Sequence, residues 1–151
     1  MAGALAGLRV LDLTDHRGLL AGRMLALMGA EVLTVEPAVG NTARVQPPFD
    51  DGGVSLYWQT YGTGRNSVVL DRAADPVRLQ TLAAAADVVL EAGTPGVDPF
   101  LDSDALLAAN PALIHAIMTP FEFDANPFNG WDVDGYIGTR PGPDGKWGRP
   151  N

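Results

Sequence analysis

The chain opens with a short apolar run, then apolar residues at helical spacing, then a second apolar run that ends on an acid. The two continuous runs predict strands at 9–13 and 31–35, and the spacing between them predicts a helix near 18–28. Thr14 or Asp15 is expected to cap that helix. Its sheet-facing side is expected to comprise Leu19, Leu20, Met24, Leu27 and Met28.

The same alternation continues along the chain. Apolar runs predict further strands at 67–70, 87–90 and 113–118, and helices are expected from Asp75-Pro76 to about 86 and over 103–109. Five strands alternating with helices predict an α/β fold, a Rossmann-like doubly wound and mostly parallel sheet. The first strand should lie centrally beside the second. The buried strand residues are expected to be Val10, Leu11, Leu13, Val32, Leu33, Val35, Val68, Val69, Leu70, Val88, Val89, Leu90, Ile114 and Ile117.

The pattern ends after the fifth strand. Residues 122–151 are rich in Gly, Pro, Asp and Asn and show no helix or strand period. We therefore expect one domain over 1–121 and an irregular tail over 122–151. Trp131 and Tyr136 are expected to be exposed if the tail is a rearranged or frameshifted end, and to pack on the domain if it is a native continuation. The 151 residues and 46% hydrophobic content suit a single domain that buries its own core.

The net charge and composition of the chain exclude several classes of binding partner. The formal charge is −8, and no cluster of lysine or arginine occurs, so neither nucleic acid nor an anionic membrane is an expected partner. No signal peptide and no run of about eighteen apolar residues is visible, which favours a cytoplasmic location. The chain has no cysteine, and its histidines, His16 and His115, are far apart, so no metal site is expected.

The turn after the first strand lacks the glycine pattern of dinucleotide-binding proteins, and no P-loop occurs, so no nicotinamide or flavin is expected. Arg17 could meet a phosphate at the helix N-terminus, or could be exposed or paired with a neighbouring acid. Glu36 stands where a ribose-binding acid would, or acts as a turn residue. Arg65 lies on a Gly-rich turn, where it could contact an anion or be solvated.

Five segments, in order and spacing, resemble the class III CoA-transferases, the carnitine dehydratase/bile-acid-inducible F family. The resemblance covers about residues 5–121. The segments are LAGLRVLDLTDHRGLLAGRMLALMGAEVLTVEP, NTAR, GRNSVVLD, ADVVLEAGTPG and LLAANPALIHAIMTPF.

This resemblance implies a domain that binds the adenosine diphosphate part of CoA. It implies that His16, Arg17 and Gly18 form the turn at the active site and that Arg65 and Thr94 lie at CoA-contacting positions. Relatives often carry Asn-Phe-Arg before the Pro-Gly that follows the fourth strand, whereas this chain has Ala92-Gly93-Thr94, so one usual CoA-contacting arginine is missing.

The family's nucleophile is an aspartate that forms mixed-anhydride and thioester intermediates. Asp134, thirteen residues after Phe121 (134 − 121), stands near the expected distance, although the Gly- and Pro-containing stretch after it is a poor helix start. From the residues alone, Asp124, Asp132 and Asp134 could include a nucleophile or lie in a solvated loop, since no base or oxyanion donor is visible beside them.

The implied function is CoA transfer between carboxylic acids, with CoA or acyl-CoA and a small carboxylic acid as substrates. Relatives are longer, carry a second domain and form interlocked dimers, so this chain is expected to be incomplete alone and to act as a homodimer or with a complementary CoA-transferase chain. The alternatives are a non-catalytic CoA- or nucleotide-binding module, one subunit of a split enzyme, or an inactive remnant. Some relatives are racemases.

Overall fold

The computed structural model describes residues 3–94 and 100–119. Across these residues the strands are β1 (Arg9–Asp12), β2 (Glu31–Glu36), β3 (Asn66–Val69), β4 (Val88–Ala92) and β5 (Ile114–Met118). The helices are α1 (Leu19–Leu27), α2 (Leu56–Tyr61), α3 (Pro76–Ala84) and α4 (Ser103–Ala109), with a 3-10 turn at Thr42–Val45.

The strands form one parallel sheet in the order β3-β2-β1-β4-β5. Val10 of the central strand lies opposite Val32 on one side and Val88 on the other. Chain order therefore runs outward in both directions from β1, as in doubly wound sheets. The predicted α/β fold and the central position of β1 are confirmed.

Helices cover both faces of the sheet. On one face, α3 and α4 pack on Leu11, Leu13, Val35 and Val89, and we name this the α3 face. On the opposite face, Ala21, Leu25 and Ala26 of α1 pack on a second cluster of strand side chains, and we name this the α1 face. That cluster comprises Val10, Val32, Val88 and Leu90. Burial on both faces explains why the strands read as continuous apolar runs.

Most of the predicted core residues are buried, but Val69 and Ile114 are 63% and 59% exposed. These two predictions were wrong because β3 and β5 are the edge strands, where fewer neighbours cover the side chains. Leu33, Val68 and Ile117 are half-buried.

The expected packing side of α1 was largely wrong. Leu19 is fully buried, but the other four residues form an exposed band that we call the outer α1 stripe: Leu20, Met24, Leu27 and Met28. The helix meets the sheet through Gly22 and the small and apolar residues beside it. Because α1 is apolar on both sides, its periodicity does not tell which side faces inward.

The predicted caps of α1 were also wrong. Gly18 is the N-cap residue, and it makes no side-chain capping hydrogen bond. Thr14 instead bonds the Asp12 carboxylate, and Asp15 accepts from the backbone N–H of Arg17 at 2.9 Å. The Pro76 start of α3 is confirmed.

The boundary at 121, the tail and Asp134 lie outside the described residues. None of the helices in the described part has the length and apolar character that crossing a membrane requires.

Candidate functional site

The candidate residues converge where the parallel strands end. His16, Arg17 and Gly18 follow β1, Glu36 closes β2, and Thr94 comes two residues after β4. The carboxyl ends of parallel strands share one edge of the sheet, and the change in strand order at β1 opens a crevice there. We name this edge the strand-end site.

Arg17 joins two connections of the site. Its guanidinium makes a bidentate contact with Asp15, at 3.0 Å from Nε to Oδ1 and 2.7 Å from Nη2 to Oδ2. Nη1 also donates to the Thr94 hydroxyl at 3.4 Å. The side chain is partly exposed. The structure thus brings Arg17 and Thr94 together, and it finds the acid pairing that the sequence left open.

His16 is held by two residues that the sequence did not single out. Its Nδ1 lies 2.8 Å from the Thr42 hydroxyl, which also accepts from the His16 backbone N–H at 3.3 Å. The Tyr57 hydroxyl donates to the His16 carbonyl at 2.8 Å. Thr42 belongs to the NTAR segment, whose only signal in the sequence is its family resemblance, and nothing in the sequence pairs Tyr57 with His16.

Gly18 is required by its surroundings. A Cβ atom there would lie 2.7 Å from the Thr14 side chain and 2.9 Å from Cε of Met118. The turn after β1 therefore packs directly against the end of β5, and this close approach accounts for a glycine at the position.

Glu36 is 2% exposed and already occupied by protein groups. Its carboxylate accepts from Arg44 at 2.6 and 2.8 Å and from the Asn41 backbone N–H at 2.9 Å. The hydrogen bond from Arg44 lowers the pKa of Glu36 to about 2, because its effect is larger than the opposite effect of burial. Arg44 also stacks over the Trp58 ring, 3.9 Å from its centroid. Glu36 thus holds in place the segment that follows β2.

Arg65 is neither solvated nor at the surface. Its side chain is 2% exposed and pairs with Asp12, which is completely buried. It also donates to the backbone carbonyls of Leu19, at 3.0 Å, and Tyr61. Burial raises the pKa of Asp12 and lowers the pKa of Arg65. In both residues the effect of burial is larger than the opposite effect of their mutual attraction. The Asp12–Arg65 pair thus supports the first turn of α1 on its sheet-facing side.

A second polar cluster lies on the α3 face. His115 contacts the Glu91 carboxylate at 2.9 Å and the Ser103 hydroxyl at 2.8 Å, and Glu91 accepts from the Leu101 backbone N–H at 2.9 Å. Arg72 contacts the same carboxylate. His115 is buried between its partners, so the cluster anchors the connection between β4 and β5. Over residues 3–94 and 100–119, no group of His, Asp or Glu has the arrangement of a metal site.

A cavity of about 270 Å³ lies at the opposite end of the sheet, between the first strands and α3, and Arg9, Glu31 and Asn66 are among its lining residues. None of the candidate residues reaches it. The size of this cavity therefore says nothing about the strand-end site.

Residues 5–136 match the family model described as CoA-transferase family III. The chain belongs to CoA-transferase family III. A probable fatty acyl-CoA transferase of Mycobacterium tuberculosis, Rv3272, is 37% identical over an alignment of 150 positions, which covers 95% of this chain and 36% of that protein. A succinyl-CoA:mesaconate CoA-transferase of Haloarcula hispanica is also 37% identical, over 79% of this chain and 32% of its own length.

Solved structures agree with the fold. A crystal structure of Rv3272 from M. tuberculosis superposes with a TM-score of 0.71 at 34% identity, over 97% of this chain and 45% of that chain. A CaiB/BaiF family protein from Brucella suis gives a TM-score of 0.65 at 28% identity, over 78% of this chain and 33% of that chain. The chain thus spans about a third of the length of its curated relatives.

Proposed function

We propose that this chain binds CoA or acyl-CoA at the strand-end site and supplies the CoA-binding part of an enzyme that transfers CoA between carboxylic acids. The observation that carries the proposal is the contact of Arg17 with Thr94 beside the carboxyl end of β1, in a chain that belongs to CoA-transferase family III. Crevices at this position hold phosphorylated ligands in many doubly wound proteins.

Each residue has a distinct proposed role. Arg17 offers a planar set of donors to a phosphate or to the thioester end of the ligand. His16 and Gly18 shape the turn at the start of α1, where the helix dipole favours a negative group. Glu36 acts through Arg44, which stays partly exposed beside Trp58. Arg65 acts from below as a positioning residue, since it is buried with Asp12.

The proposal is tested by calorimetry with CoA. We expect Arg17→Ala to weaken CoA binding about tenfold or more, because a charge-assisted hydrogen bond contributes about 1.5–3 kcal/mol. Arg9→Ala is the matched control, since Arg9 also pairs with a single aspartate, Asp87, but lies at the amino end of β1. Equal losses in the two variants, or no CoA binding by the unaltered chain at millimolar ligand, would contradict the proposal.

Asp134 remains the proposed nucleophile for transfer. Its carboxylate would attack the thioester carbonyl, which gives a mixed anhydride and releases CoA thiolate. The thiolate then attacks the anhydride at the Asp134 carbonyl, releases the donor acid and forms an enzyme thioester. The acceptor carboxylate attacks that thioester, which forms a second mixed anhydride with Asp134 and releases CoA thiolate. The thiolate then attacks the acceptor carbonyl of this anhydride, which gives the CoA thioester of the acceptor and frees the Asp134 carboxylate. The family match reaches residue 136, which supports a position inside the family's sequence.

If this role is correct, Asp134→Ala abolishes transfer of CoA from succinyl-CoA to a carboxylic acid and leaves CoA affinity within about twofold, because the nucleophile contributes to a covalent step. Asp132→Ala, two residues away, is the matched control and should retain transfer. The assay is liquid chromatography of acyl-CoA products, with the chain alone and with a complementary CoA-transferase polypeptide. Transfer that survives in Asp134→Ala would rule out the assignment.

The length of the relatives supports the proposal that this chain is part of a larger enzyme. The succinyl-CoA:mesaconate CoA-transferase of Haloarcula hispanica is about three times as long as the part this chain matches, and a succinate–glutarate CoA-transferase of Agrobacterium fabrum is about two and a half times as long. A CoA-binding part that works with further polypeptide fits these ratios. The alternative is a free-standing CoA-binding module, which would transfer no CoA even with a complementary CoA-transferase polypeptide.

A further inference from the structure

The polar cluster of Glu91 and His115 on the α3 face has no part in the proposed transfer steps, yet it lies close to the strand-end site along the chain. Glu91 belongs to β4, and Thr94 follows it by three residues. Both Glu91 and His115 are almost completely buried. A buried carboxylate is strongly destabilising unless it is paired and hydrogen-bonded. The partners of Glu91 therefore identify the segments that it holds together.

Glu91 closes the connection that follows β4. Its Oε2 accepts from the Leu101 backbone N–H at 2.9 Å, and Leu101 lies ten residues further along the chain. One side chain thus joins the strand to the far end of the connection. The near end is attached separately, because the Gly93 N–H donates to the Met118 carbonyl at 3.1 Å. Thr94 is the next residue, so its position depends on both attachments.

His115 orients the Glu91 carboxylate. An ionised carboxylate accepts hydrogen bonds and donates none, and this one pairs with Arg72. His115 therefore donates from Nε2 to Oε2 of Glu91, at 2.9 Å. Its other ring nitrogen, Nδ1, lies 2.8 Å from the hydroxyl of Ser103, the first residue of α4. Because the ring is held at both nitrogens, it keeps Oε2 directed at the Leu101 N–H.

The path from the cluster to the strand-end site is short. The Thr94 hydroxyl accepts from Nη1 of Arg17 at 3.4 Å, which is long for a hydrogen bond of this kind. Asp15 holds the Arg17 guanidinium through Nε and Nη2, so the arginine does not follow Thr94 when the connection moves. A small displacement of Thr94 is therefore enough to break its contact with Arg17.

We propose that Glu91 and His115 are positioning residues of the strand-end site: His115 orients Glu91, and Glu91 holds the connection after β4 where Thr94 meets Arg17. Both side chains are buried on the α3 face, so they act through Thr94 and do not touch the ligand. The effect on CoA affinity rests on the proposed function, whereas the effect on the connection does not.

The first test uses the chain without ligand. His115→Asn places its amide near the position of Nδ1 and withdraws the donor from Glu91, whereas the longer side chain of His115→Gln reaches the position of Nε2 and keeps that donor. Amide hydrogen exchange followed by NMR should be about tenfold faster at Gly93 in His115→Asn and unchanged in His115→Gln. The Leu70 amide is the reference, because it donates to the Glu36 carbonyl in the other half of the sheet. It should exchange at the same rate in all three proteins.

Calorimetry with CoA tests the effect on the site. His115→Asn should weaken CoA binding about three- to tenfold, as expected when one hydrogen bond is lost, and His115→Gln should restore the affinity to within about twofold. In a Thr94→Val background, His115→Asn should have no further effect, because the group through which it acts has been removed. Asn110→Ala is the control and should leave CoA affinity unchanged. Asn110 bonds the Ala86 carbonyl at 3.4 Å and lies at the other end of α4.

Equal acceleration of exchange at Gly93 and Leu70 would overturn the proposal, since His115 would then stabilise the whole sheet and not the connection. Additive losses of affinity in His115→Asn and Thr94→Val would overturn it as well. If the unaltered chain binds no CoA, the proposed function fails, and hydrogen exchange still decides whether the cluster positions the connection. If His115→Asn does not fold, Ser103→Ala replaces it, because it removes one of the two contacts of the ring and should give a smaller change in the same direction.

Discussion

Arg65→Met is expected to lower the free energy of unfolding by about 3–5 kcal/mol, because it leaves the Asp12 carboxylate buried without its cation. That loss is a large share of the stability of a typical domain, about 5–15 kcal/mol. The measurement is urea denaturation followed by circular dichroism. Because both charges are desolvated, replacing both should cost far less than removing one.

The control is the double variant Arg65→Met with Asp12→Asn. Asparagine keeps an oxygen acceptor for the Thr14 backbone N–H, which Asp12 holds at 2.9 Å, but it removes the buried charge. We expect the double variant to recover more than half of the lost stability. A double variant as unstable as Arg65→Met alone would show that the hydrogen bonds of Arg65 to Leu19 and Tyr61 matter more than its charge.

The single variant should also depend on pH in a defined direction. Burial raises the pKa of Asp12 in the folded protein above its ordinary value of 3.8. A carboxyl with a raised folded pKa favours folding when protonated, and this contribution is lost as the pH rises through the raised pKa. Without Arg65 that pKa rises further, so Arg65→Met should be relatively more stable at pH 5 than at pH 8.

Gly22→Ala is expected to destabilise the protein by about 2–4 kcal/mol, although alanine is favoured over glycine in a helix by about 1 kcal/mol. A Cβ atom at this position would lie 2.6 Å from Nη1 of Arg65 and would contact the Asp12 carboxylate. Both atoms are buried and paired, so neither can move away without separating the ion pair. The loss of the pair therefore outweighs the gain in helix propensity.

Gly52→Ala serves as the comparison, because its nearest neighbour would be the Asp50 carboxylate at 3.3 Å in an exposed turn. The two variants are compared by their denaturation midpoints in urea. Gly22→Ala with a midpoint at or above that of the unaltered chain would mean that α1 can move outward from the sheet and that the close packing is not required.

Sequence pattern predicted the fold well because its signal is local. Each strand is an apolar run between turn residues, and alternation with helices dictates parallel pairing around β1. The pattern could not predict which side of α1 packs inward, since Leu25 and Leu27 are equally apolar and only the position of Gly22 lets the helix approach the sheet.

The candidate site was predicted less completely. His16, Arg17 and Thr94 follow strand ends, and strand ends are recognisable in a sequence. The partners Thr42 and Tyr57 are 26 and 41 residues from His16, and only the folded chain brings them near. The burial of Arg65 was also missed, because a Gly-rich turn is usually exposed and nothing local signals that its arginine reaches Asp12 beneath α1.

The turn after β1 is anchored on both sides of the sheet's midline. His16 bonds Thr42 in the connection that follows β2, whereas the adjacent Arg17 bonds Thr94 in the connection that follows β4. A single peptide unit therefore links the two halves of the doubly wound sheet mechanically. Tyr57, 41 residues from His16 in sequence, bonds the carbonyl of this unit, so a substitution at Tyr57 bears on both connections at once.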